Sequence, residues 1–527
     1  MFALLMEQGT GKSKVVIDTV AHLWREHRID SLLIIAPKGV APGWVRQQLP
    51  THMPEDVPYA AAIWRASMSK TRQGEVKVVL NAKGALRILV MNVEAFGATA
   101  KAIDFAISML DDAASAMVVV DESHRIKTPQ AATTKRIINL RIRSAYRRIL
   151  TGTVGDKPFD LYSQFGFLDP DIIGVDSFTA FKAEYAELLP DSSGLMRHIL
   201  RRVPKKWSGK YIDDITGQPA DGAWNDDDTK RAKHMEPIYK PTIVATNDDG
   251  TPRYRNLDKL QGLIAPHSFR VLKRDCLDLP AKLYSRYYTE LTDKQWALYE
   301  QVKENMRIEW EEDRITTFNK LTTILRLQQI VCGYVGDGEK LVELFPKWSE
   351  NPRVVSMLEL IGDRPIGEGT IIWCRFVADI LRVSEALREA YGAAQVVQFY
   401  GGVKDKAREE AVARFQGERQ IMDKSGNLLR TEAVMDRARF MVAQQQSGGV
   451  GQTWTAANLS LYYSNTFSLI DRLQSEDRPH RIGQEHPVQY VDLEAEDTVD
   501  SVIINSLIAK KDVADAINDD PKVLWLR

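Results

Sequence analysis

Two short segments hold the residue types that handle phosphate. Glu7-Gln8-Gly9-Thr10-Gly11-Lys12-Ser13 follows an apolar run (2–6, FALLM) and leads into an amphipathic stretch over 13–26. Glycines let backbone N–H groups approach phosphate oxygens, and a helix starting there adds a favourable dipole. In that frame Gly9, Thr10 and Gly11 cradle the phosphates, Lys12 holds the β and γ groups, and Ser13 ligates Mg²⁺. Met6 stands where the eight-residue GxxxxGKS pattern has its first glycine. A GxGKS at a helix start also arises by chance, but the strand–loop–helix order favours the phosphate reading.

The second segment is Asp121-Glu122-Ser123-His124, closing the apolar run 117–120. Asp121 is placed to hold the Mg²⁺ through water, and Glu122 to polarise an attacking water as general base. Alone, Asp-Glu after a strand also serves as a solubilised strand end, and His124 fits a surface loop. About a hundred residues after a phosphate loop, the pair reads as the metal site.

These segments need strands to carry them. Near-continuous apolar runs at 2–6, 32–36, 88–92, 117–121 and 148–152 alternate with helical patterns such as 13–26 and 131–139. The same grammar returns at 371–374, 395–400, 440–444, 459–463 and 488–493. Unbroken apolar strands indicate parallel sheets covered on both faces, so the fold class is α/β with two doubly wound lobes. Turn formers and charge over 190–256 read as an irregular insertion, and 417–437 as a smaller one. Residues 292–332 read as helical. The expected division is a first lobe at 1–275 with its insertion about 186–256, a linker at 276–282, and a second lobe at 283–527 with a helical part about 292–345.

At 527 residues the chain is too long for one core. A hydrophobic share of 44% and a charged share of 27% exclude disorder and fibrous classes. The net charge of −1 means that any nucleic-acid surface is a local patch. Three cysteines, Cys276, Cys332 and Cys374, lie far apart, which excludes a disulfide scaffold and a Cys-rich zinc module. No apolar run reaches membrane-spanning length, so a cytoplasmic protein without a membrane partner is expected.

Lys12, the DESH at 121–124 and the LTGT at 150–153 resemble motifs I, II and III of superfamily-two helicases. FGFLDP at 165–170 resembles the Snf-two subgroup, and APK at 36–38 with Trp44 is similar to motif Ia. Met91-Asn92 is similar to Ib, FRVLKRDC at 269–276 to the segment leaving the first lobe, LRLQQIVC at 325–332 to the helix before the second, and 371–376 to motif IV. QSGGVGQTWTAAN at 446–458 and DRLQSEDRPHRIGQ at 471–484 resemble motifs V and VI; the HRIGQ ending is the most specific match.

The resemblance implies two RecA-like lobes with ATP and Mg²⁺ between them. Motif VI is then expected to place Gln474, Arg478 and Arg481 on a short helical stretch facing the nucleotide, with Arg478 and Arg481 neutralising the transferring phosphoryl group. Gly451 joins the nucleotide contacts, while His124, Thr151, Gly152 and Thr153 couple the site to DNA. Lys38, the 41–44 loop, Asn92, Arg375, Ser447, Gly448 and Thr453 are the implied backbone contacts to nucleic acid. Trp44 and Trp454 fit core positions as well as they fit nucleic-acid contact, and for Trp454 the core reading is favoured.

The implied activity is that of a double-stranded-DNA-stimulated ATPase and translocase, working as a monomer. The alternatives are a strand-separating DNA or RNA helicase and a DNA-binding pseudo-ATPase. Phe467-Ser468 stands where the family usually has Trp-Asn, so altered coupling between DNA contact and hydrolysis is expected. Few residues precede the phosphate loop, so an upstream adenine-reading element is not expected in this chain. A minimal motor of this kind suggests a bacterial or phage source, in a bacterial or infected host cell.

Overall fold

A computed structural model describes residues 1–153, 155–190, 208–212, 219–223, 241–247, 252–311, 317–336, 341–365, 367–422, 428–448 and 453–518. The first sheet comprises β1 (Phe2–Met6), β2 (Ser31–Ala36), β3 (Tyr59–Trp64), β4 (Leu86–Asn92), β5 (Ala116–Asp121), β6 (Tyr146–Leu150) and β7 (Ser268–Val271). Their order is β7-β1-β6-β5-β2-β4-β3, and every neighbouring pair is parallel. Alternate residues of β2 feed two cores, Leu33 and Ile35 into one, Leu32 and Ile34 into the other. A strand buried on both faces has no use for polar alternation, which is why the sequence shows unbroken apolar runs.

The second sheet comprises β8 (Lys282–Tyr288), β9 (Gly369–Cys374), β10 (Val396–Phe399), β11 (Phe440–Gln444), β12 (Ala457–Tyr462) and β13 (Val488–Glu494). It runs β8-β13-β12-β9-β11-β10, also all parallel. Ile372 and Cys374 face one core, Ile371 and Trp373 the other. Trp454 and Trp44 are both buried core residues. The segment 41–44 is no loop: Ala41–Gly43 runs as helix into a π-helical turn, Trp44–Gln48.

The helices that matter to the site are α1 (Lys12–Arg25), α2 (Leu257–Ile264), α3 (Asp293–Glu311), α4 (Thr317–Cys332), α5 (Leu469–Glu476) and α6 (Val499–Asn518). The last of these straddles the two lobes. Val499, Ile503 and Leu507 pack with Val331 and Leu469 of the second lobe, whereas Ile517 joins Leu260 and Ile264 in the core of the first. Burying apolar surface on both sides gives α6 a cost for separating them.

Some expectations need correction. The edge strand β3 (YAAAIW) escaped the sequence reading because alanines supply little apolar mass. The helical part ends at Cys332, and Tyr334–Gly336 then pairs antiparallel with Leu341–Glu343. Part of the expected irregular insertion forms strands: Leu188–Pro190 with Pro241–Val244, and Ser208–Ile212 with Pro219–Ala223. Isolated bridges join Ala186 to Tyr254 and Thr246 to Pro252, and residues 191–207, 213–218, 224–240 and 248–251 lie outside those described. The insertion at 417–437 contains the antiparallel pair Glu418–Met422 and Leu428–Ala433. Among the described residues no helix is long and apolar enough to cross a membrane.

Candidate functional site

β1 delivers the chain into a turn that only glycine accommodates easily. Gly9 and Gly11 have φ of 84° and 93°, and a Cβ at either would meet nothing within 4 Å. Handedness, not crowding, demands glycine there, since L-residues lose about 1–2 kcal/mol in that region. α1 then begins with no side-chain cap and no acidic residue in its first turn. Its first N–H groups and the positive end of its dipole are left for an anion.

Lys12 lies over this loop. Its Nζ donates to the carbonyls of Met6 at 2.8 Å and Glu7 at 2.9 Å. Burial pulls the ammonium below its usual range, while Glu122 and Asp121 oppose that shift. Met6 contributes a carbonyl, which any residue has, and its side chain is buried in the core. The missing glycine of the longer pattern is therefore not needed for this contact. Thr10 donates from Oγ1 to the Glu7 carbonyl at 2.7 Å, tightening the turn.

Two strands away, β5 ends in Asp121. Its Oδ2 accepts from Trp44 Nε1 at 2.8 Å, and its Oδ1 from the Glu122 backbone N–H at 2.9 Å. Glu122 sits at φ 50°, ψ 54°, a left-handed conformation costing about 1–3 kcal/mol for a residue with a Cβ. Burial pushes the Asp121 carboxyl up to about 6, with Glu122 adding to it. Burial also opposes charge on Glu122, but His124, Lys12 and Arg125 outweigh it and hold that carboxyl below its usual range.

The donor set suits Mg²⁺. Among the described residues no cluster of three or more His, Cys, Asp or Glu exists to hold a metal by itself. Mg²⁺ typically takes one or two protein oxygens and completes its shell with phosphates and water. The hydroxyl of Ser13 and the carboxylate of Asp121 are ligands of that class.

The LTGT segment links to both elements. His124 Nδ1 stands 3.3 Å from Glu122 Oε2 and 3.5 Å from Thr151 Oγ1. Thr151 Oγ1 donates to the Thr153 carbonyl at 2.6 Å. A Cβ on Gly152 would stand 3.3 Å from the Gln8 backbone nitrogen, so this loop packs directly on the phosphate loop. All four expected coupling residues thus belong to one connected cluster with Glu122.

The second lobe supplies the opposite wall. Gln474 lies buried on α5. Arg478 and Arg481 do not continue that helix as expected; they follow it in turns. Pro479 accounts for the break, because a proline disfavours helical geometry in the residue before it. Arg481 donates from Nη2 to Gln8 Oε1 at 2.9 Å and from Nε to the Asp477 carbonyl at 3.1 Å. The first of those contacts crosses from one lobe to the other. Burial pulls both guanidiniums below their usual range, and Arg481 adds to the effect on Arg478. Desolvated cations facing an N–H-lined loop form a wall that an anion would stabilise.

Sequence reasoning missed several residues at this seam. From sequence Gln8 reads only as a loop residue, yet its Oε1 accepts from Arg481. Lys273 lay in a segment assigned to the lobe exit, and it donates to Asp477 Oδ1 at 2.8 Å. Asp156 accepts from the Leu469 backbone N–H at 3.2 Å. Trp44 was weighed as core or as DNA contact, not as a donor to Asp121. Long-range partners such as these leave no spacing signal in a single sequence.

The expected nucleic-acid contacts fall on both lobes, near the ends of paired strands. Lys38 lies just past β2 and Asn92 ends the neighbouring β4, and they share Glu94: the Lys38 backbone N–H donates to its Oε2 at 3.1 Å and Asn92 Nδ2 at 3.4 Å. Arg375 turns inward, donating to Gln328 Oε1 and lying over the Phe376 and Phe467 rings. Thr453 is exposed. Ser447 and Gly448 fall in a short helix, Gln445–Gly448, and Gly451 lies outside the described residues.

Known proteins resemble this chain at several levels. A profile of the SNF2-related domain matches residues 3–334, more than half of the chain. The TATA-binding protein-associated factor mot1 of Aspergillus fumigatus is 23% identical over 439 residues, covering 76% of this chain and 20% of that protein. The chromodomain-helicase-DNA-binding protein 1-like of Danio rerio is 20% identical over 529 residues, covering 98% of this chain and 41% of that protein. The chain spans less than half the length of these two relatives. The solved Sulfolobus solfataricus SWI2/SNF2 ATPase core in complex with dsDNA aligns with 98% of this chain and 89% of its own, at 21% identity and a TM-score of 0.35.

Proposed function

The chain belongs to the SNF2-related family, and on that premise we propose that it is a duplex-DNA-stimulated ATPase that turns lobe closure over ATP into movement along DNA. The observation that carries this reading is the hydrogen bond from Arg481 to Gln8 across the seam. It sets a guanidinium of one lobe against the phosphate loop of the other, as hydrolysis at a two-lobed interface requires. Strand β7 belonging to the first sheet and β8 to the second supports a division at 276–282.

In this reading the first lobe binds and the second completes. The N–H groups from Gly9 to Ser13 surround the phosphates, and Lys12 moves from the Met6 and Glu7 carbonyls onto them. Ser13 and Asp121 would hold Mg²⁺, which supplies charge neutralisation at the β- and γ-phosphates. Glu122, kept charged by His124, Lys12 and Arg125, accepts a proton from the attacking water. Arg481 and Arg478 meet the charge that develops on the transferring group, with Gln474 behind them. Because those residues belong to the second lobe, turnover is confined to the closed arrangement, and opening after hydrolysis provides the motion.

His124 and Thr151 connect Glu122 to the LTGT loop, a route by which DNA on the outer face influences the general base. Lys38 and Asn92 support that face as backbone contacts, which would give binding without base reading. We propose a monomer as the working unit. The test is ATP turnover with duplex DNA, single-stranded DNA and RNA in parallel. Greatest stimulation by duplex supports the proposal; equal or greater stimulation by RNA rejects it. Duplex binding without any Mg²⁺-dependent turnover would instead establish a pseudo-ATPase.

A further inference from the structure

Between the two sheets the chain passes through a buried lysine that no step above uses. Lys273 is 5% exposed, and its backbone N–H and its ammonium reach the phosphate loop and the turn that carries the second lobe's arginines. Its backbone N–H donates to Glu7 Oε2 at 2.6 Å. Its Nζ donates to Asp477 Oδ1 and to the His480 carbonyl, each at 2.8 Å. Asp477 in turn accepts Arg481 Nε at its carbonyl, and Arg481 returns to Gln8, the neighbour of Glu7. The contacts close into a ring that starts and ends on the phosphate loop.

The far side of the same turn is held from the linker as well. His480 Nε2 donates to the Pro280 carbonyl at 2.8 Å, and Lys282 Nζ lies 3.3 Å from Glu476 and 3.8 Å from Asp477. An isolated buried ion pair usually contributes little net stability, because desolvation offsets the attraction. What such a pair can do is select one arrangement out of several. Here the arrangement selected is that of the 477–481 turn, which is not helical and has no ladder of its own to define it.

We propose that Lys273, anchored by Glu7, is a positioning residue that sets Arg481 over the phosphate loop. The proposal rests on the ATPase reading above for its kinetic consequence, but not for the geometry it claims. Lys273 acts through Asp477 and His480 and is not assigned a contact with substrate. By this route the end of the first lobe, just before the linker, senses whether the lobes are in register and passes that state to the arginine.

The experiment uses the full chain with saturating duplex DNA. Lys273→Met should lower kcat about ten- to a hundredfold while KM for ATP and duplex affinity stay within about twofold, the pattern of an interaction made only in the transition state. Lys273→Arg should recover a substantial part of that loss, and Glu7→Gln should show a smaller loss of the same kind. In an Arg481→Ala background, Lys273→Met should cost almost nothing further, since coupled residues are not additive. Equal losses in both backgrounds would overturn the proposal, as would a loss confined to KM. If Lys273→Met fails to fold, Lys273→Arg and Glu7→Gln carry the same cycle. Hydrogen exchange separates this from failure of the ATPase reading: faster exchange over 480–484 in Lys273→Met is expected whether or not the chain hydrolyses ATP. Unchanged exchange there would sink the clamp, whereas a wild-type chain without turnover would sink only the ATPase.

Discussion

The two walls of the site are built by opposite means. On the first lobe, Gly9–Ser13 and Asp121–His124 follow directly from β1 and β5, strands buried on both faces. Local backbone geometry and helix α1 then determine where the groups point. On the second lobe, Arg478 and Arg481 lie past the end of α5 in turns, and Arg481 contacts Gln8 and the Asp477 carbonyl, while Lys273 holds the Asp477 carboxylate. A wall made by strand ends is ready before the lobes meet. A wall made by contacts across a seam exists only when they do, so the proposed function puts binding in the first and rate in the second.

Experiments can break that contrast, beginning with the greatest effect. Arg481→Ala should lower kcat about a thousandfold with KM for ATP nearly unchanged, because charge stabilisation is lost only in the transition state. A matching rise in KM would mean that the second wall also binds, and the division would fail. Glu122→Gln should reduce turnover roughly a hundred- to a thousandfold while nucleotide binding, read by equilibrium titration, survives.

Trp44→Phe tests whether the first wall is as self-contained as it looks. It keeps the aromatic packing and removes the donor to Asp121, so half-maximal turnover should need about tenfold more Mg²⁺, as loss of an outer partner commonly does. Mn²⁺ binding in the presence of nucleotide, followed by electron paramagnetic resonance, should weaken in parallel. No change in either would assign Trp44 to packing alone.

The smallest effect concerns pH. Burial, then Lys282, lowers the His480 imidazole from 6.5 to about 4. A depressed histidine value means that the folded chain resists a proton which the unfolded chain accepts. The stability held by neutral His480 is therefore complete above about pH 6.5 and declines as pH falls toward about 4. Melting temperatures of wild type and His480→Gln, compared at pH 7 and 4.5, should converge at the lower value. Asp477 does not interfere: burial opposes its charge, but Lys273 and Lys282 hold its carboxyl at about 2.

Much of the first wall was legible in the linear order of residues. Unbroken apolar runs located β1, β2, β4, β5 and β6, and the segments after β1 and β5 named the phosphate loop and the acidic pair. The alanine-rich β3 was invisible, because it lies at an edge where little apolar mass is required. In the second wall the resemblance places Arg478 and Arg481 on a helical stretch, whereas they follow α5 in turns, as Pro479 in the sequence already argues. Arg375, taken as a DNA contact through the resemblance, spends its side chain on Gln328 and two phenylalanine rings. Of those partners only Phe376 is its neighbour along the chain.

The amino-acid order alone determined which residues are chemically competent and which strands would be covered on both faces, since those properties depend on side-chain type and short-range periodicity. Only the tertiary structure decided what stands opposite the phosphate loop. Gln8 and Arg481 meet because two sheets pack about one linker, and Glu7 and Lys273 because β1 pairs with β7 within the first; hydrogen bonding between residues hundreds of positions apart follows from that packing and from no local pattern.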